Sequence, residues 1–197
     1  GVLVQFHKEM KPGSDFEKEV VLALSHLNTK GAVEKPPGSD AAVKIAKALS
    51  DLQETIRLRL NRAGADVPRR DGFIGHQTHN ASALKRKKMV QWKKDIGPKL
   101  DWEKMDIPPE RQDAFLTSTF NAITTGIRKD DKAVAKPLAA EFHGAKNLAK
   151  SLSHSRLLEF KNPVEWLDYN KIYGSGSLRE GLMQDMTMSA KSTAIML

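Results

Sequence analysis

Residues 40–63 read DAAVKIAKALSDLQETIRLRLNRA, and this stretch decides the fold class. Ala42, Ile45, Ala46, Leu49, Leu52, Ile56 and Leu60 recur at steps of three and four. A helix places all of them on one continuous face, whereas a strand would need strict alternation. Gly64 follows where a left-handed residue can end a helix at little cost. The pattern predicts a helix over 40–63.

Reading outward toward the start of the chain, Ser14 and Glu17 have capping-box spacing, so a helix is expected from Asp15. Its apolar stripe is Phe16, Val20, Leu24 and Leu27, and Gly31 follows its end. Between the two helices, residues 28–40 carry paired prolines and glycines with no stripe, which is linker chemistry.

Reading the other way, residues 64–82 (GADVPRRDGFIGHQTHNAS) have no period and hold three glycines and a proline. They predict a structured glycine-rich loop or short hairpin. A third helix is expected over 83–96, with Met89, Trp92 and Ile96 inward and Gly97-Pro98 ending it. One short turn of helix is expected over 101–105. Pro108-Pro109-Glu110 opens a fourth helix with Phe115, Leu116, Thr119, Phe120 and Ile123 inward and Gly126 closing it. Residues 127–137 are polar, 138–152 read as a weaker helix, and 156–160 as extended. Asn162, Pro163 and Glu165 form a strong helix start, and Gly174 ends that helix. Ser177 and Glu180 repeat the capping box for a last helix with Leu178, Leu182, Met186 and Ala190 on one face. The expected class is all-α, an irregular domain of six or seven helices with the structured loop at 64–82. The expected division is an N-terminal helix at 1–30 continuing a longer chain, a linker at 31–40, and a helical module at 41–197. Both ends read as cut, since the chain opens Gly1-Val2-Leu3 and closes inside a helical pattern.

Composition narrows the chemistry. The chain has 197 residues and no cysteine, which removes disulfides, thiolate metal sites and cysteine nucleophiles. No apolar run approaches the roughly 18–20 residues of a membrane span. No secretory leader pattern is present. The net charge is +8, and it is uneven. Residues 61–100 carry 10 basic and 3 acidic groups, while the flanking regions are close to neutral. Such asymmetry suits nucleic acid, phospholipid or an acidic partner.

Three constellations could carry function. His76 and His79 lie three apart in the loop with Asp71 near, so together they could supply three zinc ligands. The alternative is that these loop histidines lock the backbone. Lys85, Arg86, Lys87 and Lys88, with Lys93 and Lys94, can neutralise phosphates, and Arg69 and Arg70 extend the set. The bland reading is an ordinary charged outer helix face. Gly181-Leu182-Met183-Gln184 matches a run of lytic transglycosylases, with Glu165 upstream. However, the spacing is one residue too long, Trp166 stands where that family has serine, and too little chain follows. No phosphate-binding glycine loop or nucleophile elbow is present, and no cofactor is expected.

Three segments in order carry a resemblance: LNRAGADVPRRDGFIGHQTHN at 60–80, IGPKLDWEKM at 96–105, and RLLEFKNPVEWLDYNKIYGSGSLREGLMQDM at 156–186. Their order and spacing resemble a region of the large internal, or ejection, virion proteins of tailed bacteriophages and prophages. Those proteins often carry a lytic transglycosylase domain elsewhere in the chain. Leu60, Asn61, Ala63, Gly64, Ala65, Gly72, Phe73, Gln77 and His79 match the family's run, and Asn80 stands where an aspartate is usual.

The resemblance implies a non-catalytic structural module that assists virion assembly and genome delivery. Its partners would be portal, tail or other ejected proteins, with DNA or an anionic membrane at the basic stretch. It implies a place in the virion interior, then in the host envelope or cytoplasm after ejection. The rivals are a metal-dependent or hydrolase-like enzyme using His76, His79 and Asp71, a stand-alone nucleic-acid-binding protein, and a toxin cargo.

Overall fold

A computed structural model describes residues 10–11, 13–64, 67–69, 71–75, 79–125 and 158–175, with Leu178, Gly181 and Thr187. Among these residues all regular structure is helical. The elements are α1 (Asp15–Asn28), α2 (Asp40–Arg62), α3 (Ala81–Lys87), α4 (Met89–Ile96), a 3-10 turn (Gly97–Lys99), α5 (Pro109–Thr125) and α6 (Pro163–Tyr173). Leu100 and Phe160 form an isolated antiparallel bridge, and no strand is present among the described residues. The all-α class read from the periodicity is what the chain adopts.

The described residues fall into two compact units. The first holds α1, α2 and the loop as far as Gly75, together with Leu178. Ala42, Ile45, Ala46, Leu49 and Leu60 of α2 are buried, as the stripe predicted. α1, which buries Val20, Val21, Ala23 and Leu24, packs against α2. A valine, leucine or isoleucine contributes about 1.5–3 kcal/mol when fully removed from water, and an alanine less.

The α1 face differs from the predicted stripe. Phe16 and Leu27 are only half-buried, while Glu17 and Asn28 are buried. The face is therefore rotated toward two polar residues that a hydrophobic count passes over. The Ser14 hydroxyl accepts the Glu17 N–H at 3.1 Å, as a cap should. The other half of the expected box is displaced, since the Glu17 carboxylate takes the Gly13 N–H at 2.6 Å.

The connection 29–39 runs back alongside α1. His26 Nε2 lies 2.9 Å from the Glu34 carbonyl, and the Glu19 carboxylate accepts both the N–H and the hydroxyl of Ser39, at 2.9 and 2.6 Å. Ser39 in turn caps α2. Because Glu19 meets Ser39 and Asn28 meets Ser50, α1 and α2 pack side by side pointing the same way. Two helices in the same sense need a return of this length, which is what the proline-glycine segment supplies. These two bonds hold the Glu19 carboxyl below its ordinary range.

The second unit holds His79 to Thr125 and Leu158 to Ser175 among the described residues. Its core is Leu84, Trp92, Ile96, Leu100, Phe115, Leu116, Phe120, Leu158, Tyr169 and Tyr173. Trp92 and Ile96 are inward as predicted, and Met89 and Ile123 pack at the edge. Asn162 caps α6 with its side-chain oxygen on the N–H groups of Val164 and Glu165, both at 3.0 Å. Gly174 ends α6 without a left-handed turn. There a Cβ would fall 2.7 Å from two Asn170 oxygens, so it is the close approach that requires glycine.

The predicted helix over 83–96 is two helices. Lys88 breaks it at φ 68 and ψ 152. The expectations for 126–157, and the Ser177–Glu180 cap, lie outside the described residues. Leu178, Gly181 and Thr187 are helical.

Candidate functional site

The loop after α2 is built by side chains of the helices beneath it. The Asn61 carboxamide both accepts the Val67 N–H (2.5 Å) and donates to the Val67 carbonyl (3.1 Å), which also takes a bond from Arg57 at 3.0 Å. Gly64 at φ +93 lets the chain leave α2 toward that clasp. Asn28 then holds the next stretch. Its amide donates to the Phe73 carbonyl (2.6 Å) and to Gln53 Oε1 (3.0 Å), and its oxygen accepts the Ser50 hydroxyl (2.7 Å). Its backbone carbonyl takes the Gly72 N–H at 3.1 Å. Gln53 donates to the Ile74 carbonyl at 2.7 Å. A loop with no strand partner must satisfy its buried backbone groups somehow, and here amide side chains replace the ladder. Gly72, at φ +62, makes the turn inside this frame.

Asp71 faces a structural partner, since its carboxylate accepts the Lys30 N–H just past the end of α1. His79 is in the second unit. Its Nδ1 lies 2.9 Å from the Tyr169 hydroxyl, and the two rings meet edge to face at 5.7 Å. Burial raises the Tyr169 pKa, so the hydroxyl stays protonated. Burial also holds His79 neutral, with its pKa pushed down to about 4. Trp92 Nε1 donates to the same Tyr169 oxygen at 3.4 Å. Asn80 caps α3 through the Ala83 N–H at 2.9 Å, a role that aspartate fills equally well. Its own N–H donates to the Tyr173 carbonyl at 2.7 Å.

Asp71 and His79 belong to different units, and each is occupied by a partner within its own unit. No group of three His, Asp or Glu side chains among the described residues could hold a metal ion. His76 and Gln77 lie outside the described residues.

The basic stretch divides as well. Lys85, Arg86, Lys87, Lys88 and Lys94 are exposed in the second unit. Lys93 is drawn down to Asp113 at 2.6 Å, with 18% of its side chain exposed. Arg69 is exposed in the first unit, and Arg70 lies outside the described residues. Trp92 is fully buried and offers no stacking surface. Glu165, the glutamate of the transglycosylase comparison, sits in the first turn of α6. It is paired with Lys99 at 2.5 Å, and that pairing raises the lysine's pKa.

Sequence reasoning missed Asn28 and Gln53, and read Glu17 only as part of a helix cap. The Glu17 carboxylate joins the Gly13 N–H to the Leu178 N–H at 3.1 Å, across 161 positions. The only hint in the sequence is a polar residue on the flank of an apolar stripe. No helix among the described residues is long and apolar enough to cross a membrane. No family model, curated protein or solved structure matches the chain.

Proposed function

We propose that this chain is a non-catalytic structural module of a large phage internal (ejection) virion protein. It assists virion assembly and genome delivery, and presents a basic surface to DNA or anionic membrane. The observation that carries the reading is how the motif residues are used. Asn61, Asp71, Gly72, His79 and Asn80 all make hydrogen bonds within the chain. Groups engaged in this way hold a shape and leave little for a substrate. The order of the three family-like segments supplies the virion context.

The partners on this reading are portal, tail or other ejected proteins. The location is the virion interior, then the host envelope or cytoplasm. Mass spectrometry of purified particles from the phage or prophage that encodes the chain is the test. Its peptides are expected in full virions and depleted from particles emptied in vitro. Their absence from full virions overturns the proposal. A stand-alone nucleic-acid-binding protein is the second reading, favoured by the exposed cations at 85–88. The enzyme alternative on His76, His79 and Asp71 predicts stoichiometric zinc uptake, which the structural reading does not.

A further inference from the structure

We propose that Lys85, Arg86, Lys87, Lys88 and Lys94 form a contact for the phosphate backbone of duplex DNA, read by charge and not by base sequence. The inference deepens the basic-surface part of the reading above by naming the polyanion.

Among the described residues the charge has no ion-pair partner. From His79 to Lys94 the sequence has no acidic residue. The first that follows, Asp95, accepts from Gln91 at 2.7 Å and from the Tyr173 hydroxyl at 2.5 Å. Asp113 removes Lys93 from the set. The other five cations have no ion pair among the described residues.

The helix break is what makes the group of four possible. Consecutive residues of a helix point about 100° apart, and residue i+4 stands over residue i. In an unbroken helix Lys88 would stand over Leu84, which is fully buried. The turn at Lys88 takes the chain off that face, and all four side chains reach solvent. Glycine is the residue that adopts this backbone freely. A lysine here keeps a cation where a smaller residue would fit the backbone better, and strain of this kind is a pointer to function.

Duplex DNA fits better than its competitors. A helix that rests in a lipid interface needs an apolar face to sink. The apolar sides of α3 and α4, namely Ala83, Leu84, Trp92 and Ile96, are buried in the unit, leaving Val90 exposed among the cations. Single strands are held on exposed aromatic platforms, and Trp92 is fully buried.

The test is fluorescence anisotropy of the whole 197-residue chain with two unrelated duplexes of about 20 base pairs, at salt from about 50 to 200 mM. Equal affinity for both is expected, with a log–log salt slope of about −4 to −5 for five cations. K85E/K87E is expected to weaken binding tenfold or more. K88G is expected to flatten the slope by about one while the protein melts no earlier, which separates lost charge from lost fold.

No binding at the lowest salt overturns the proposal. So does binding that the charge reversal leaves unchanged, or single-stranded DNA bound more tightly than duplex. Flotation with phosphatidylcholine vesicles containing about one-third phosphatidylserine, without duplex binding, assigns the surface to lipid and overturns it as well. Duplex binding by a chain absent from virions would sink the virion reading and leave this one standing. A virion chain that ignores DNA would do the reverse.

Discussion

Lys88 holds φ 68 and ψ 152 with its backbone bonds intact. Its N–H donates to Leu84 and Lys85, and its carbonyl accepts from Trp92. A non-glycine residue there costs about 1–3 kcal/mol. Lys88→Gly is therefore expected to stabilise the second unit by roughly 1 kcal/mol, after the extra chain entropy of glycine is subtracted. A rise in melting temperature of a few degrees checks this, and a fall would mean the lysine side chain is holding the turn. His79 yields a second prediction. Its pKa is near 4 in the fold against 6.5 in a free chain. Above pH 6.5 both states are neutral and the group has no effect. Below that the unfolded chain takes the proton first, so stability falls until about pH 4. The total loss is on the order of 3 kcal/mol. His79→Gln keeps a hydrogen-bonding group for Tyr169 but does not titrate. Denaturant melts across this pH range are expected to show a shallower acid-side loss for the variant.

At the scale of elements, the described residues of the loop after α2 are tied to the helices beneath them by side-chain hydrogen bonds. Asn28 joins α1, α2 and that loop through four hydrogen bonds. Asn28→Ala strands Phe73 O, Ser50 and Gln53, and is expected to cost about 2–4 kcal/mol. Asn28→Asp is nearly isosteric, but a carboxylate cannot donate to Phe73 O or Gln53 Oε1, so a similar loss is expected. Equilibrium unfolding of the two variants checks the pair. An aspartate that behaves like wild type would show that shape outweighs donor count. In contrast, Lys99 of the 3-10 turn and Glu165 of α6 pair near the surface, with side chains 24% and 30% exposed. Glu165→Gln is expected to cost under about 1 kcal/mol, as partly exposed pairs do.

For the whole molecule, the division into two units gives a spectroscopic handle. The three tryptophans are Trp92, Trp102 and Trp166, all in the second unit. Fluorescence reports that unit, whereas far-ultraviolet circular dichroism reports helices of both. Asn28→Ala acts in the first unit. Its expected signature is a dichroism transition at lower temperature with the fluorescence transition in place. Equal shifts in both signals would show one cooperative core. The charge follows the same division. The excess in residues 61–100 is split, with Arg69 in the first unit and the 85–88 run in the second.

Much of the architecture was legible from residues alone, because it depends on local rules. The period of 40–63 determined α2, Ser14 and Asn162 determined their helix starts, and Gly64 and Gly72 marked turns that the backbone makes at positive φ. The basic run was equally plain, since charge is read directly from composition. Tertiary structure decided the rest. Whether a polar residue is buried depends on what it meets, so Glu17 and Asn28 had no signature in periodicity, and neither did the contact of His79 with Tyr169. The break at Lys88 contradicts local preference, because a lysine does not announce a left-handed turn. Only the packing of Leu84 and Trp92 into one core makes the chain turn there, and that turn brings Lys88 out into solvent beside the three cations before it.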